Sequence, residues 1–106
     1  MQEDWDEGVA QELVHAYVLV GVTMLNPDRS VMLRLQVHGQ VIAADPVNGI
    51  EIRLSGSRAG GSYRLPPNTG VFRAAAPGLY WLAETGEEVA DPDYLATWTI
   101  RQPARH

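Results

Sequence analysis

The chain has no cysteine. Disulfides, thiol nucleophiles and sulfur-ligated zinc are therefore excluded, and the redox compartment is left open. Lysine is missing too: all eight basic residues are arginine. A phosphate loop of the GK[ST] type and Schiff-base chemistry both require a lysine amine, so neither is available. Long apolar runs are also lacking. The longest, VHAYVLVGVTML (14–25), has twelve residues and includes His15 and Thr23, whereas a membrane-spanning helix needs about 20. Residues 1–12 carry five acids and no base, where a secretory leader needs bases. The expectation is a cytoplasmic protein that does not engage a membrane.

What is present describes one folded domain. Apolar content of 45% and charged content of 20% over 106 residues suit a single modest core. The net charge of −5 is unevenly spread. Residues 13–83 hold six arginines against three acids, and residues 84–106 hold five acids against two arginines. A mildly basic centre between acidic ends argues only weakly against a polyanionic partner.

In EDWDEGVAQEL (3–13), Trp5, Val9 and Leu13 fall four apart, so the spacing predicts a short acidic helix over residues 1–13 with one apolar stripe. From residue 14 the period becomes two. AYVLVGVTML is β-branched and apolar on both faces, as in a strand covered on both sides. NPDRS is a turn. In VMLRLQVH, Val31, Leu33, Leu35 and Val37 face one way and Met32, Arg34, Gln36 and His38 the other, the pattern of a half-buried strand. Gly39 marks a tight turn or sharp bend before VIAA. DPVNG (45–49) then closes a hairpin into IEIRL, with Gly49 suited to the left-handed conformation. SGSRAGGS is a surface loop, and YRL, VFRA, LYWLAE and YLATWTI are further strands. Strands at intervals of about 8 to 12 residues indicate an all-β barrel or sandwich over residues 14–101, followed by a mobile tail at 102–106.

Leu33, Leu35, Val37 and Gly39, then Asp45 and Asn48, then Ile50, Ile52 and Leu54 resemble the opening strands of an Sm-like small barrel. The path from YVLVGVTMLNPD through YRLPPNT to PGLYWLAETGEEVADPDYLATW is similar to a group of small uncharacterised bacterial proteins with that fold. The resemblance implies a small Sm-like barrel of short antiparallel strands behind a short N-terminal helix. It implies no activity. The arginine-glycine pair of the family's second motif is absent, so only Asn48 carries over as a nucleic-acid contact.

Arg34, Arg53, Arg64 and Arg73 each sit in an alternating strand, so they can share one face of the sheet and hold a nucleic-acid strand by phosphate contact. Against this, outward arginines commonly pair with nearby acids and keep a domain soluble. His15, His38 and His106 are too dispersed for a metal-ligand spacing, and no cofactor is implied. ETGEEVADPD reads as a solvated acidic turn. No base, nucleophile and orienting group can be assembled, so the chain reads as a non-enzyme. Tyr80 and Trp81 are adjacent in one strand and must face opposite ways. With Tyr17 and Leu19 of the first strand, which is apolar on both faces, they are candidates for an interface. The alternative is that the helix stripe covers the apolar surplus within one chain. The expected protein is a self-associating interaction module. A nucleic-acid-binding barrel is second, and a small-molecule-binding domain third.

Overall fold

A computed structural model describes residues 5–101; the expected tail at 102–106 lies outside them. Helix α1 spans Glu7–Leu13. It starts there because the Asp6 carboxylate accepts the Val9 N–H at 3.1 Å, satisfying one of the orphan donors of the first turn. Thr69 fixes the approach, its hydroxyl accepting the Asp6 N–H at 2.9 Å.

Eight strands follow: β1 Tyr17–Leu25, β2 Val31–Asp45, β3 Gly49–Leu54, β4 Ser62–Leu65, β5 Phe72–Ala74, β6 Leu79–Trp81, β7 Glu88–Ala90 and β8 Tyr94–Arg101. The protein is all-β with one short helix, as the alternating pattern requires. Six strands form one sheet in the order β4-β3-β2-β1-β8-β5, and β6 and β7 form a separate hairpin. The sheet is open, with β4 at one edge and β5 at the other, so the expected closed barrel is not formed. Nor are the strands uniformly short and antiparallel: β2 has fifteen residues, and β1 pairs with β8 in parallel.

Gly39 is not a turn. It lies inside β2, and a Cβ there would fall 1.9 Å from the Arg53 carbonyl oxygen. The glycine lets the β3 backbone approach closely, which produces the same sequence signal as a bend. The irregularity in the strand lies instead at a register shift between Val41 and Ala43. The DPVNG hairpin is formed as expected. Asp45 Oδ1 accepts the N–H groups of Val47 and Asn48 at 2.6 and 2.9 Å, and Gly49 closes the loop at φ 94°.

One face of the sheet carries the core. Val18, Val20 and Val22 of β1 meet Val37 and Val41 of β2, Ile50 and Ile52 of β3, Leu65 of β4 and Ala96 of β8. Leu13 of α1 is fully buried against them, and Trp5 and Val9 pack beside it. The helix stripe therefore covers this face within one chain. Each fully buried aliphatic side chain here contributes about 1.5–3 kcal/mol. The β6–β7 hairpin lies on the opposite face and brings its own buried Leu82 and Val89. β7 runs through ETGEEVADPD, which is thus not a free acidic turn. Its acids satisfy backbone donors: Asp91 accepts from Gly78 N–H at 2.7 Å and Asp93 from Tyr17 N–H at 2.8 Å. Among the described residues no helix is long and apolar enough to cross a membrane.

Candidate functional site

The hairpin-covered face holds the chemistry. The β1–β2 register sets Tyr17 opposite Gln40 and Leu19 opposite His38, so Tyr17 and His38 are diagonal neighbours with ring centroids 5.9 Å apart. The Tyr17 hydroxyl lies 2.6 Å from His38 Nδ1, and His38 Nε2 lies 2.8 Å from Glu87 Oε1. Glu87 Oε2 accepts the Ser57 N–H at 3.3 Å. Hydrogen bonds from Ser57, and next from His38, lower the Glu87 carboxyl from its ordinary value to about 2. An ionised carboxylate only accepts, so Nε2 carries a hydrogen and donates it to Glu87. In the neutral ring Nδ1 accepts the Tyr17 O–H. Gly56, at φ 71°, makes room, since a Cβ there would lie 2.0 Å from Glu87 Oε1.

This array is closed to ligands. His38 is 7% exposed and both ring nitrogens are engaged, so it has no nitrogen left for a substrate or metal. Its effect is to clamp the hairpin onto the sheet. Among the described residues no group of three or more His, Asp or Glu side chains is placed to hold a metal ion. Sequence reasoning missed the array because Glu87 comes from a distant hairpin, and nothing in the local pattern couples it to His38.

Beside the hairpin turn the same face opens into a cleft of about 450 Å³. Its floor is Gly21, flanked in register by Gln36 of β2 and Thr97 of β8. The next row is Thr23, flanked by Arg34 and Thr99. Ala83 and Glu84 of the hairpin turn form a wall, and Glu84 is paired with Arg58 at 3.2 Å.

Register places Arg34, Arg53, Arg64 and Arg73 all on this face. They share a face but not a groove. Arg64 is engaged by Glu51 at 3.2 Å and by the Asn48 carbonyl at 3.1 Å. Arg53 lies opposite Gln40, six residues along β2 from Arg34 or roughly 20 Å away. Arg73 is on β5 at the far edge. Asn48 is exposed at the tip of its hairpin. Of the interface candidates, Tyr17 is taken up by His38 and Leu19 is half-buried. Tyr80 is half-buried with its hydroxyl donating to the Ala76 carbonyl, and Trp81 is 66% exposed.

A third feature lies beyond the core. The ends of β1, β2 and β8 extend as a three-stranded arm. β2 pairs with β1 from Val31 onward, but β3 joins it only at Gly39. Among the described residues, 31–37 therefore have a strand on one side only, and Val31, Met32 and Leu33 are 49%, 43% and 45% exposed. The expected half-buried face of this segment is thus uncovered where it begins. Comparison with protein-family models, with curated proteins and with solved structures gives no match to this chain.

Proposed function

We propose that the protein is a non-enzymatic interaction module that self-associates through the free edge of β2, on a sheet whose opening strands are Sm-like in pattern. The observation that carries this reading is the edge of β2 at residues 31–34, exposed, largely apolar and, among the described residues, with a strand on one side only. An exposed edge of this kind is a template for another strand. It is also self-complementary. Antiparallel pairing about a two-fold axis at Leu33 sets Leu33 against Leu33 of a second copy, Val31 against Leu35 and Met32 against Arg34. No like charges meet in that register, whereas an axis at Arg34 would oppose two guanidinium groups.

The strand arginines support a nucleic-acid reading less well, because Arg64 is already engaged and the others do not adjoin. The test of self-association is light scattering after size exclusion at tens of micromolar. Wild-type protein is expected to run as a dimer, and Leu33→Lys as a folded monomer, because a charge at an edge blocks pairing while Leu33 supports little of the core. A wild-type monomer under those conditions overturns the proposal.

A further inference from the structure

The reason for Gly21 lies outside the fold. It occupies the middle of the central strand, where a glycine is destabilising by about 0.5–1 kcal/mol relative to alanine. Three structural reasons for a strand glycine are an unusual φ, a bulge and close approach of another backbone. None holds here. Gly21 is not among the positive-φ residues, its register with Gln36 and Thr97 is regular, and a Cβ added to it would meet nothing within 4 Å. What the missing side chain leaves is the floor of the cleft.

The polar side chains around that floor face the open cleft. Among the described residues, Arg34, Gln36, Thr23, Thr97 and Thr99 make no side-chain hydrogen bond or ion pair within the chain. The carboxylate on the opposite wall, Glu84, is held by Arg58 instead of by Arg34. A lone guanidinium presents a planar fork that matches one carboxylate, and the threonine hydroxyls beside it can donate to the same group. Carbon at the cleft comes from the Gly21 backbone, Ala83 and the methyl groups of Thr23, Thr97 and Thr99, since Val22, Leu35 and Trp98 turn their side chains to the core face. A space of about 450 Å³ lies within the range of small-molecule sites.

We infer that this cleft binds a small amphipathic monocarboxylate, with its apolar body over Gly21 and its carboxylate on Arg34. A phosphate ester suits the site less, since a single arginine leaves its second charge unmatched. The site shares Arg34 with the β2 edge but uses its side chain on the sheet face, whereas edge pairing uses the backbone; octanoate binding by the monomeric Leu33→Lys variant therefore tests the site apart from self-association.

The experiment is a titration of nitrogen-15-labelled protein with octanoate, octanol and octyl phosphate, followed by amide shifts. Octanoate is expected to saturate below about 1 mM and to shift residues 21–23, 34–36 and 97–99 together. Gly21→Val should fill the floor and weaken octanoate at least about tenfold in a protein that still folds. Should that variant fail to fold, Thr97→Leu fills the same space from the neighbouring strand. Arg34→Gln should weaken octanoate about tenfold and leave octanol unchanged. No saturation by octanoate, or equal binding by both cleft-filling variants and wild type, overturns the site. Tighter binding of octanol or octyl phosphate than of octanoate overturns the carboxylate.

Discussion

The two ends of the same sheet follow one sequence pattern and meet opposite fates. In IEIRL on β3, alternation places Ile50 and Ile52 inward, and both are completely buried. In VMLRL on β2, the same alternation places Leu33 on that face, opposite Met24, and it is 45% exposed. The difference is the cover. At the β3 end, α1 lies over the core face, and the hairpin clamped by His38 and Glu87 lies over the other. At the arm, three strands run on with no fourth strand or helix beside them among the described residues. Alternation thus selects which face a side chain takes, while burial depends on what is packed on that face.

The contrast is sharpest in the core. Ile52→Ala should cost about 2–5 kcal/mol, because a cavity remains beside a fully buried cluster. Leu33→Ala should stay within about 0.5 kcal/mol in the monomer. Denaturant unfolding of both variants checks this, and similar losses would mean that the arm is covered in solution. Two strand glycines give the next largest contrast. Gly39→Ala should cost about 1–3 kcal/mol or more, because its methyl group meets the Arg53 carbonyl and must push β3 away. Gly21→Ala, facing open space, should leave stability unchanged or raise it by up to about 1 kcal/mol. Thermal melts of the pair separate a packing glycine from one kept for a ligand.

The smallest effect concerns the clamp. Glu87 titrates at about 2 in the folded chain against an ordinary 4.5. Its folded value is lowered, so its contribution is complete above about pH 4.5 and fades as pH falls toward about 2. Glu87→Gln should therefore flatten the stability profile across that window, with the difference from wild type greatest near neutral pH. Parallel profiles for the two proteins would show that Glu87 does not hold the hairpin.

Much of the fold could be read directly. Val9 and Leu13 of the expected stripe lie on α1, which starts only at Glu7, while Trp5 packs on the core from before the helix; Asp45 to Gly49 marked a hairpin by its own turn chemistry. These are local effects of period, capping and φ. The site was less legible. The Gly21 signal was present as a break in a β-branched run, but its meaning depends on the empty space above it. His38 read as one polar residue on an outer face, because Glu87 reaches it only after a hairpin folds back.

Composition, period and turn residues by themselves determined an all-β chain, its apolar helix stripe and the face of the strand residues between the two register shifts of β2. Those properties come from neighbours in sequence, through backbone sterics and the two-residue repeat of a strand. Tertiary structure alone decided that the sheet stays open, that β8 joins β1 in parallel and that Gly39 accommodates a backbone approach and not a turn. It also decided that the β2 edge is bare and that a cleft lies over Gly21. Each of these depends on which distant segment comes to lie alongside, and no local pattern carries that information.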